Sequence, residues 1–367
     1  MRRIVHYYPD ALGSSGVTSA LWAWARAQAA NGHEVTVLHT GIGSSNDRPA
    51  FVKTQGDGLP ESRPVPHRGR HRHLRHPIGL GRWLGKNDLL VLHEGWVPSN
   101  AVAAAAARRA GVPYLVVPHG VYDRLWRSYL KPPLRLRMRF ERRVLEGAAA
   151  VHFFFRSESR DVEDLAPRSA LLVAPTGFEL PPERWAGGGG YISWLGRIDP
   201  YAKGLDLLAD AMALLPSAER PRVWIRGYGY KDGLQRLRQD IRRRGVDGSI
   251  EIGPPCAGAE KQTFLRNATG YVHPSRWECH SIALLENLSL GVPSIASSAI
   301  HIAPHLAEAG AALLSAPRAE PLAEALLALA SGPDGMGERG RRFVAEGFAW
   351  PNVMQRFEAE LSRLGLN

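Results

Sequence analysis

The chain has 367 residues, of which 44% are hydrophobic and 22% are charged, a size and composition typical of a globular protein with two domains. No apolar run reaches the roughly 18–20 residues of a membrane span, and the first residues lack the apolar stretch of a signal peptide. Two cysteines are too few for a disulfide framework or a cysteine metal cluster. We therefore expect a cytoplasmic protein. The net charge of +11 lies almost entirely in residues 1–186, with 26 Lys and Arg against 16 Asp and Glu, which indicates either an anionic partner for this half or a role in solubility alone.

Strands and helices alternate in the first half of the chain. A β-rich run over residues 3–8 precedes a Gly/Ser loop, an Ala-, Leu- and Trp-rich helix over 19–31 and a strand over 34–39, which is the spacing of a parallel β–α–β crossover. The same order recurs as a strand at 89–93, a helix at 99–110 and a strand at 114–118. Residues 63–76, rich in Pro, Arg and His, are predicted to form an exposed loop.

The four consecutive glycines at 187–190 predict a linker, because they permit backbone angles that other residues avoid and bury no side chain. Strands are then predicted at 191–195, 222–227, 250–252, 270–273 and 293–296. Helices are predicted at 204–215, 231–244, from 261, at 282–290 and at 321–330. The pattern predicts an α/β chain with two doubly wound Rossmann-like domains, 1–186 and 187–345, and a final segment 346–367. Since ligands of such sheets bind at the carboxyl ends of the strands, the site is expected in a cleft across which the two domains face each other.

The most informative segment for function starts at Pro274, at the end of a predicted strand, and continues into a predicted helix that carries Glu286. The Glu286 carboxylate can accept two donors side by side, as the vicinal hydroxyls of a ribose require, and Glu278 at the loop end is placed to accept from sugar hydroxyls. Backbone N–H groups at the helix start are predicted to bind a diphosphate or a polar sugar face. They belong to Cys279, His280, Ser281 and Ile282. The alternative is an exposed acidic pair that caps the helix.

In this context the segment resembles the E-x7-E motif of family 4 glycosyltransferases, which are retaining enzymes of the GT-B fold. Gly196-Arg197 followed by Lys203 resembles the G-R…K-G signature of that family. The resemblance implies that Arg197 and Lys203 hold the leaving diphosphate, beside Gly196. Permanent cations suit that role, because a site without a metal must stabilise the charge that develops there.

Further segments resemble the same family. His119 resembles the strand-end histidine that faces the donor sugar, although a lone histidine at a strand end can also be structural. Gly16, in the loop that starts at Gly13, resembles the glycine that lets the backbone approach donor or acceptor, and Gly227 resembles a strand-end glycine near the nucleotide. The segment from Phe348 resembles the C-terminal helix that crosses back to the N-terminal domain.

The resemblance implies a metal-independent enzyme without a cofactor. It would move a hexosyl unit from a UDP- or GDP-linked sugar to a hydroxyl of a glycan or lipid-linked glycan, as in polysaccharide biosynthesis. The acceptor would attack the face that the diphosphate leaves, and the leaving phosphate would take the proton. The catalytic residues implied are His119, Glu278, Arg197 and Lys203. Cys279-His280 departs from the family's usual E-[FG]-G, which changes the side chains beside the sugar.

Two other classes of function remain open from the residues themselves. A nucleotide-sugar epimerase can use the same scaffold. A phosphorylase-like enzyme can use it too, but the absence of a plausible pyridoxal-phosphate lysine motif argues against that enzyme. A non-enzymatic protein that binds anions or nucleic acid would suit a pI near 10.0. The basic clusters lack the regularly interleaved aromatic residues of single-strand binders, so no nucleic-acid partner is expected.

The basic charge of the first half is concentrated in two clusters, one within residues 63–76 and one within 124–143. The second contains Arg124, Arg127, Lys131, Arg135, Arg137, Arg139, Arg142 and Arg143. On a helix, Leu136 and Phe140 would share one side and arginines another, which favours an anionic membrane surface and a peripheral enzyme on its inner face. The alternative is a solvated helix whose apolar side is packed into the core.

Overall fold

The computed structural model describes residues 1–13, 15–41, 59–70, 74–123, 127, 134–332 and 334–366, with the backbone alone at 134 and 135. These residues divide into two compact units. Unit 1 comprises Met1–Gly177 and Trp350–Asn367, and unit 2 comprises Phe178–Ala349. The division differs from the predicted boundaries after 186 and after 345.

Unit 1 is built on a parallel sheet of seven strands in the order β3-β2-β1-β6-β7-β8-β9, with β4 and β5 as a separate antiparallel pair. The strands are β1 (Arg3–Tyr7), β2 (Glu34–His39), β3 (Glu61–Pro64), β4 (His67–Arg68), β5 (His76–Pro77), β6 (Leu89–His93), β7 (Tyr114–Val117), β8 (Ala150–Phe153) and β9 (Leu171–Val173). The helices between them are α1 (Gly16–Ala30), α2 (Pro98–Ala110), α3 (Leu134–Glu146) and α4 (Arg160–Glu163). The central strands β6 and β7 are buried at every position, which is why they read as continuous apolar runs.

The strands predicted in the first half are confirmed, and helix α1 begins earlier than predicted. It starts at Gly16 because the Ser15 side chain caps it, accepting from the Thr18 N–H at 3.1 Å. The predicted loop at 63–76 is wrong in part. Residues 63–64 belong to β3, which forms by pairing with β2 and so is not visible in the local sequence. The short strands β4 and β5 pair with each other, and residues 71–73 lie outside the described residues.

Unit 2 repeats the architecture with a parallel sheet of six strands in the order β12-β11-β10-β13-β14-β15. The strands are β10 (Ile192–Ile198), β11 (Val223–Gly229), β12 (Ile250–Gly253), β13 (Gly270–His273), β14 (Ser294–Ser297) and β15 (Leu313–Ser315). The helices are α5 (Leu205–Leu214), α6 (Gly233–Arg243), α7 (Gly258–Asn267), α8 (Ile282–Leu290), α9 (Ala303–Ala309), α10 (Ala319–Ala330) and α11 (Met336–Phe348). The prediction of two doubly wound α/β sheets is confirmed.

The glycines at 187–190 lie inside unit 2 rather than between the units. Trp185 Nε1 donates to the Ala268 carbonyl at 2.7 Å, so the chain is already tied to unit 2 before the glycines begin. The Gly189 N–H donates to the Asn267 carbonyl at 2.8 Å. Glycine composition indicates backbone freedom, but hydrogen bonds across the fold decide where the chain changes unit.

The last helix, α12 (Trp350–Arg363), belongs to unit 1. The Trp24 ring on α1 makes ring contacts with Trp350 and Phe357, at centroid distances of 5.4 and 5.2 Å. Gly177 is needed at this contact, because a β-carbon there would lie 2.3 Å from the Trp350 ring. The C-terminal segment is therefore an integral part of the unit 1 core.

Candidate active site

Two glycines bring the loops of unit 2 close together where its strands end. A β-carbon on Gly204 would lie 2.0 Å from the Pro274 carbonyl oxygen, and one on Gly227 would lie 1.9 Å from that of Gly196. Gly204 also has a φ of +65°, which other residues rarely adopt. The turn that carries Lys203 is therefore held against the start of the segment that carries the predicted glutamates.

Glu278 lies in a buried cluster of polar side chains. Lys203 Nζ donates to its carboxylate, Ser275 Oγ donates at 3.2 Å, and His273 Nε2 lies 3.4 Å away. The Tyr271 hydroxyl lies 3.0 Å from the other ring nitrogen of His273. Burial alone would raise the pKa of Glu278, but the Lys203 ammonium and His273 lower it to about 2. Glu278 is thus an ionised, fixed acceptor at neutral pH.

Glu286 lies on α8 and pairs with a lysine that sequence reasoning missed. Lys261 Nζ, from α7, is 2.5 Å from Glu286 Oε1, and the two side chains are 30% and 19% exposed. A carboxylate has further lone pairs, so Glu286 can still accept from a ribose hydroxyl beside Lys261. Nothing in the local sequence marks Lys261, because only the packing of α7 beside α8 brings it to Glu286.

Arg197 lies near the end of β10 with other partners. Its guanidinium stands 4.3 Å from the centre of the Tyr230 ring and 3.8 Å from the Asp199 carboxylate. Among the described residues the structure therefore joins Lys203 to Glu278, but it pairs Arg197 with Tyr230 and Asp199. A guanidinium on an aromatic face keeps its charge, and the contact holds its N–H donors in a defined orientation.

The start of α8 departs in one respect from the predicted row of donors. The Ile282 N–H donates to the His280 carbonyl at 3.1 Å, so it already has an acceptor. Ser281, the residue before the helix, has a buried hydroxyl without a hydrogen-bond partner among the described residues. Cys279 is buried, and the His280 ring packs edge-on against Phe348 at 6.1 Å. The helix start is therefore polar, and His280 is larger than the glycine that the family's E-[FG]-G pattern has at this position.

Arg276 is a second residue that sequence reasoning missed, and it lies in the loop that carries Glu278. Its guanidinium donates to both carboxylate oxygens of Asp206, at 2.7 and 2.9 Å, and stands 4.3 Å from the Tyr201 ring. A bidentate pair of this kind defines orientation as well as energy. Arg276 therefore ties the loop that carries Glu278 to the first turn of α5. Its position inside the motif was the available signal.

In unit 1, unusual backbone angles mark the ends of β6 and β7. Among the residues that the structure describes, four non-glycine residues have positive φ, and three of these follow β6 or β7: Glu94 at 64°, Trp96 at 60° and His119 at 55°. Such angles cost free energy and persist where the surrounding structure imposes them, often at functional sites. His119 is thus held at a strand end in a conformation that its own sequence does not favour.

The predicted residues of unit 1 have defined neighbours. His119 Nε2 lies 2.9 Å from His93 Nδ1. Gly16 is the first residue of α1, and open space lies within 4 Å of the position where its β-carbon would stand. Ser14, in the loop before it, lies outside the described residues. His119 and Gly16 belong to unit 1, whereas the other predicted site residues belong to unit 2.

A cavity of about 670 Å³ opens beside these strand ends in unit 1. Its lining is largely apolar and includes Trp96, Val97, Ala101, Val121 and Phe140, with Glu94, Arg137 and Glu141 as charged groups. Burial raises the pKa of Glu141 to about 7, although a hydrogen bond from Tyr122 opposes this. The cavity therefore combines apolar walls with a few ionisable groups, as ligand sites do.

Helix α3 carries the second basic cluster. Leu136 and Phe140 are 52% and 50% exposed, so this part of the apolar side is not packed into the core. Arg139 and Arg143 are exposed on the same helix. Arg124, Lys131 and the Arg135 side chain, as well as Arg72 of the first cluster, lie outside the described residues. Within the part of the chain that the structure describes, no helix is both long and apolar enough to cross a membrane.

Two family models match the chain, one in each half. The model "Glycosyl transferase 4-like domain" matches residues 15–177, and the model "Glycosyl transferases group 1" matches residues 189–331. The chain is also 28% identical over 264 residues to the D-inositol 3-phosphate glycosyltransferase of Frankia alni, and this match spans 62% of each protein. The two models together span most of the chain and both describe glycosyltransferase domains.

Solved structures share the whole fold. Sucrose-phosphate synthase from Thermosynechococcus elongatus matches with a TM-score of 0.78 and 18% identity, covering 100% of this chain and 99% of that chain. HepE of Anabaena, solved in complex with UDP, matches with a TM-score of 0.77 and 15% identity, covering 99% of this chain and 100% of that chain. The predicted GT-B fold is confirmed. The family models identify glycosyltransferase domains in both halves of the chain.

Proposed function

We propose that this chain, which belongs to the family 4 glycosyltransferases, moves a hexosyl unit from a UDP- or GDP-linked sugar to an acceptor hydroxyl with retention of configuration. The observation that carries the proposal is the buried pair of Lys203 and Glu278 at the strand ends of unit 2. It puts a permanent cation and an ionised acceptor in contact, as a charged diphosphate and a sugar hydroxyl require. Because both family models describe glycosyltransferase domains, we prefer a transferase to the two other hypotheses, an epimerase and a non-enzymatic binding protein.

The donor class has support from structural relatives. HepE was solved with UDP, with UDP and glucose, and with UDP-glucose. In this chain, Glu286 is the proposed acceptor for the ribose hydroxyls, and Lys261 holds its carboxylate in place. The glycine at 227 lets the strand ends approach each other, and Gly196 precedes the arginine proposed for the diphosphate.

The proposed reaction needs charge stabilisation more than a protein base. Arg197 and Lys203 stabilise the negative charge that grows on the diphosphate as the glycosidic bond breaks. N–H groups at the start of α8 add partial positive charge to the same region. Glu278 and His119 orient sugar hydroxyls. The acceptor hydroxyl attacks from the face that the diphosphate leaves and passes its proton to the departing phosphate oxygen. We propose that neither a metal ion nor a cofactor takes part.

A screen of UDP-, GDP-, ADP- and dTDP-sugars by thermal shift tests the donor, because a bound ligand raises the melting temperature by mass action. We expect a UDP- or GDP-sugar to give the largest shift. Transfer to an acceptor, followed by proton NMR of the new anomeric centre, tests retention, and undiminished turnover in EDTA tests metal independence. An inverted product, or stabilisation by none of these nucleotides, would remove the respective part of the proposal.

For the acceptor we propose an anionic or lipid-linked glycan that approaches unit 1. Unit 1 has the features that bind a negatively charged amphiphile. They are an apolar cavity, the exposed side chains of Leu136 and Phe140, and the arginines of α3. The Frankia relative is named for D-inositol 3-phosphate, a phosphorylated polyol. On this basis the enzyme is peripheral on the inner face of the cell membrane.

Sedimentation with vesicles containing anionic lipid tests this surface. We expect the double variant Arg139→Ala/Arg143→Ala to bind such vesicles more weakly, because each cation near the surface contributes about 1 kcal/mol. The matched control is Arg238→Ala/Arg242→Ala, which removes two exposed charges from α6 in unit 2. Equal binding by both double variants and the wild type would overturn the membrane proposal.

A further inference from the structure

Four side chains form a continuous line of hydrogen bonds inside unit 1. Gln28 Oε1 on α1 lies 2.7 Å from His6 Nε2 on β1. His6 Nδ1 lies 2.8 Å from Nε2 of His93, the last residue of β6. His93 Nδ1 lies 2.9 Å from Nε2 of His119, which follows β7. The line therefore runs from the helix face of the sheet to the strand end that carries the proposed donor contact.

The first three members have no access to water. Gln28, His6 and His93 are each 1% exposed, and the imidazole rings stack at centroid distances of 5.1 and 5.3 Å. Burial lowers the pKa of His6 to about 4, and burial with the neighbouring histidines lowers the pKa of His93 well below its usual range. Both rings are therefore neutral at pH 7, and each has one N–H donor and one lone pair.

Neutral rings in such a line must all point their protons the same way. A reversed ring would put two N–H groups, or two lone pairs, in one contact, and water cannot relieve the conflict. Since Gln28 Oε1 accepts from His6 Nε2, His6 Nδ1 accepts from His93 Nε2. His93 Nδ1 then accepts from His119 Nε2.

We propose that Gln28 is a positioning residue that sets the ring tautomer of His119 through His6 and His93. His119 then carries its proton on Nε2 and presents the Nδ1 lone pair as an acceptor for a substrate hydroxyl. The hydroxyl part of this inference rests on the proposed function, whereas the order of protons rests on the three contacts alone. A metal ligand or a general base would need a lone pair as well, but a buried neutral relay favours orientation over proton transfer.

The wild-type chain, labelled with ¹⁵N in its histidines, tests the order of protons directly. Two-bond ¹H–¹⁵N correlation spectra distinguish Nε2–H from Nδ1–H rings, and comparison with His119→Gln assigns the His119 signals. We expect His6, His93 and His119 all to be Nε2–H. A His119 ring in the Nδ1–H form would overturn the proposal without any need for a variant at Gln28.

Two variants then test the control by Gln28. Gln28→Glu keeps an acceptor and should preserve the Nε2–H form of His119. Gln28→Met has a similar length but no strong acceptor, so both tautomers should appear, and kcat/KM for the nucleotide sugar should fall about tenfold, as loss of one hydrogen bond predicts. A single, unchanged tautomer in Gln28→Met would overturn the proposal.

The matched control is His152→Phe. His152 is also buried in unit 1, but its Nε2–H donates to the Ala174 carbonyl oxygen at 2.8 Å, and it is not part of the line. This variant should leave the His119 tautomer unchanged. Gln28→Met could also shift the tautomer of His119 and leave kcat/KM unchanged. In that case Gln28 does set the tautomer, but the proposed contact of His119 with the donor is wrong.

Discussion

The ammonium group of Lys203 donates directly to the carboxylate of Glu278, from a position 75 residues away in the chain. Lys203 is proposed to bind the diphosphate of the donor, as the family resemblance implies, and Glu278 is proposed to bind its sugar. Their contact means that these two ends of the proposed donor site share one hydrogen-bonded network. The close approach of Gly204 to the Pro274 carbonyl brings the two supporting loops together.

Removal of the cation should leave Glu278 buried and unpaired. We expect Lys203→Met to lower the free energy of unfolding by about 3 kcal/mol at pH 7, because a buried charge that loses its partner is costly. The pKa of Glu278 should rise from about 2, since burial then dominates. Urea denaturation of the full chain measures the first effect. Transfer activity should fall by about 10²–10³-fold if Lys203 stabilises the departing diphosphate.

The double variant Lys203→Met/Glu278→Gln separates stability from catalysis. It should recover most of the lost stability, because no buried charge remains, while transfer stays defective. As a control, Arg226→Met breaks a pair with the largely exposed Glu260 and should cost less than about 1 kcal/mol. A Lys203→Met protein as stable as the wild type would contradict a buried pair in solution.

Glu286→Ala should weaken the binding of free UDP or GDP by about 10–100-fold, because hydrogen bonds from the ribose to a charged acceptor are lost. Its side chain is 19% exposed and lies outside the apolar core, so the melting temperature should change little. Isothermal titration calorimetry measures the affinity. The control is Glu251→Ala, which removes an exposed carboxylate from β12, and equal affinities in the two variants would exclude the ribose role.

Gly204→Ala should disturb the site through the backbone. The new β-carbon would approach the Pro274 carbonyl oxygen to 2.0 Å, and the φ of +65° adds strain. Gly245→Ala is a matched control, since Gly245 has a φ of +64° with nothing within 4 Å of the added atom. We expect the control to lose about 1 kcal/mol of stability. Gly204→Ala should lose more, and it alone should lose transfer activity; equal losses would show that the loops do not need this contact.

The stability of the chain should depend on the protonation of Glu141. Burial raises the pKa of this carboxyl from 4.5 to about 7, so the folded chain holds a proton that the unfolded chain releases between these values. Its contribution is full below about pH 4.5 and is lost as the pH rises through about 7. Glu141→Gln should therefore become more stable than the wild type, by up to about 3 kcal/mol, between pH 5 and pH 8.

Urea titrations of both proteins at several pH values measure this difference. Subtracting the two curves cancels the buried histidines, whose lowered pKa values reduce stability as the pH falls below 6.5. A flat difference between Glu141→Gln and the wild type would contradict a buried, protonated carboxyl.

Much of the fold and part of the site can be read from local sequence. The central strands are predictable because they are buried on both faces and therefore continuously apolar. Lys203 and Glu278 are predictable because they stand in short motifs at the ends of predicted strands, and the local sequence shows both the motifs and the strands. Lys261 and Arg276 are not predictable in the same way, since their partners Glu286 and Asp206 lie on other elements.

The amino-acid sequence by itself determines that this protein has two α/β units and places the residues predicted for glycosyl transfer at strand ends, because strand periodicity, helix caps and glycine turns are short-range properties. Only the tertiary structure decides that the glycines at 187–190 lie inside unit 2, that Lys203 pairs with Glu278, and that Gln28, His6 and His93 lead to His119. Those relationships depend on which strands pair and which helices pack, and the physical reason is that hydrogen bonds and burial act between residues that are distant in the chain.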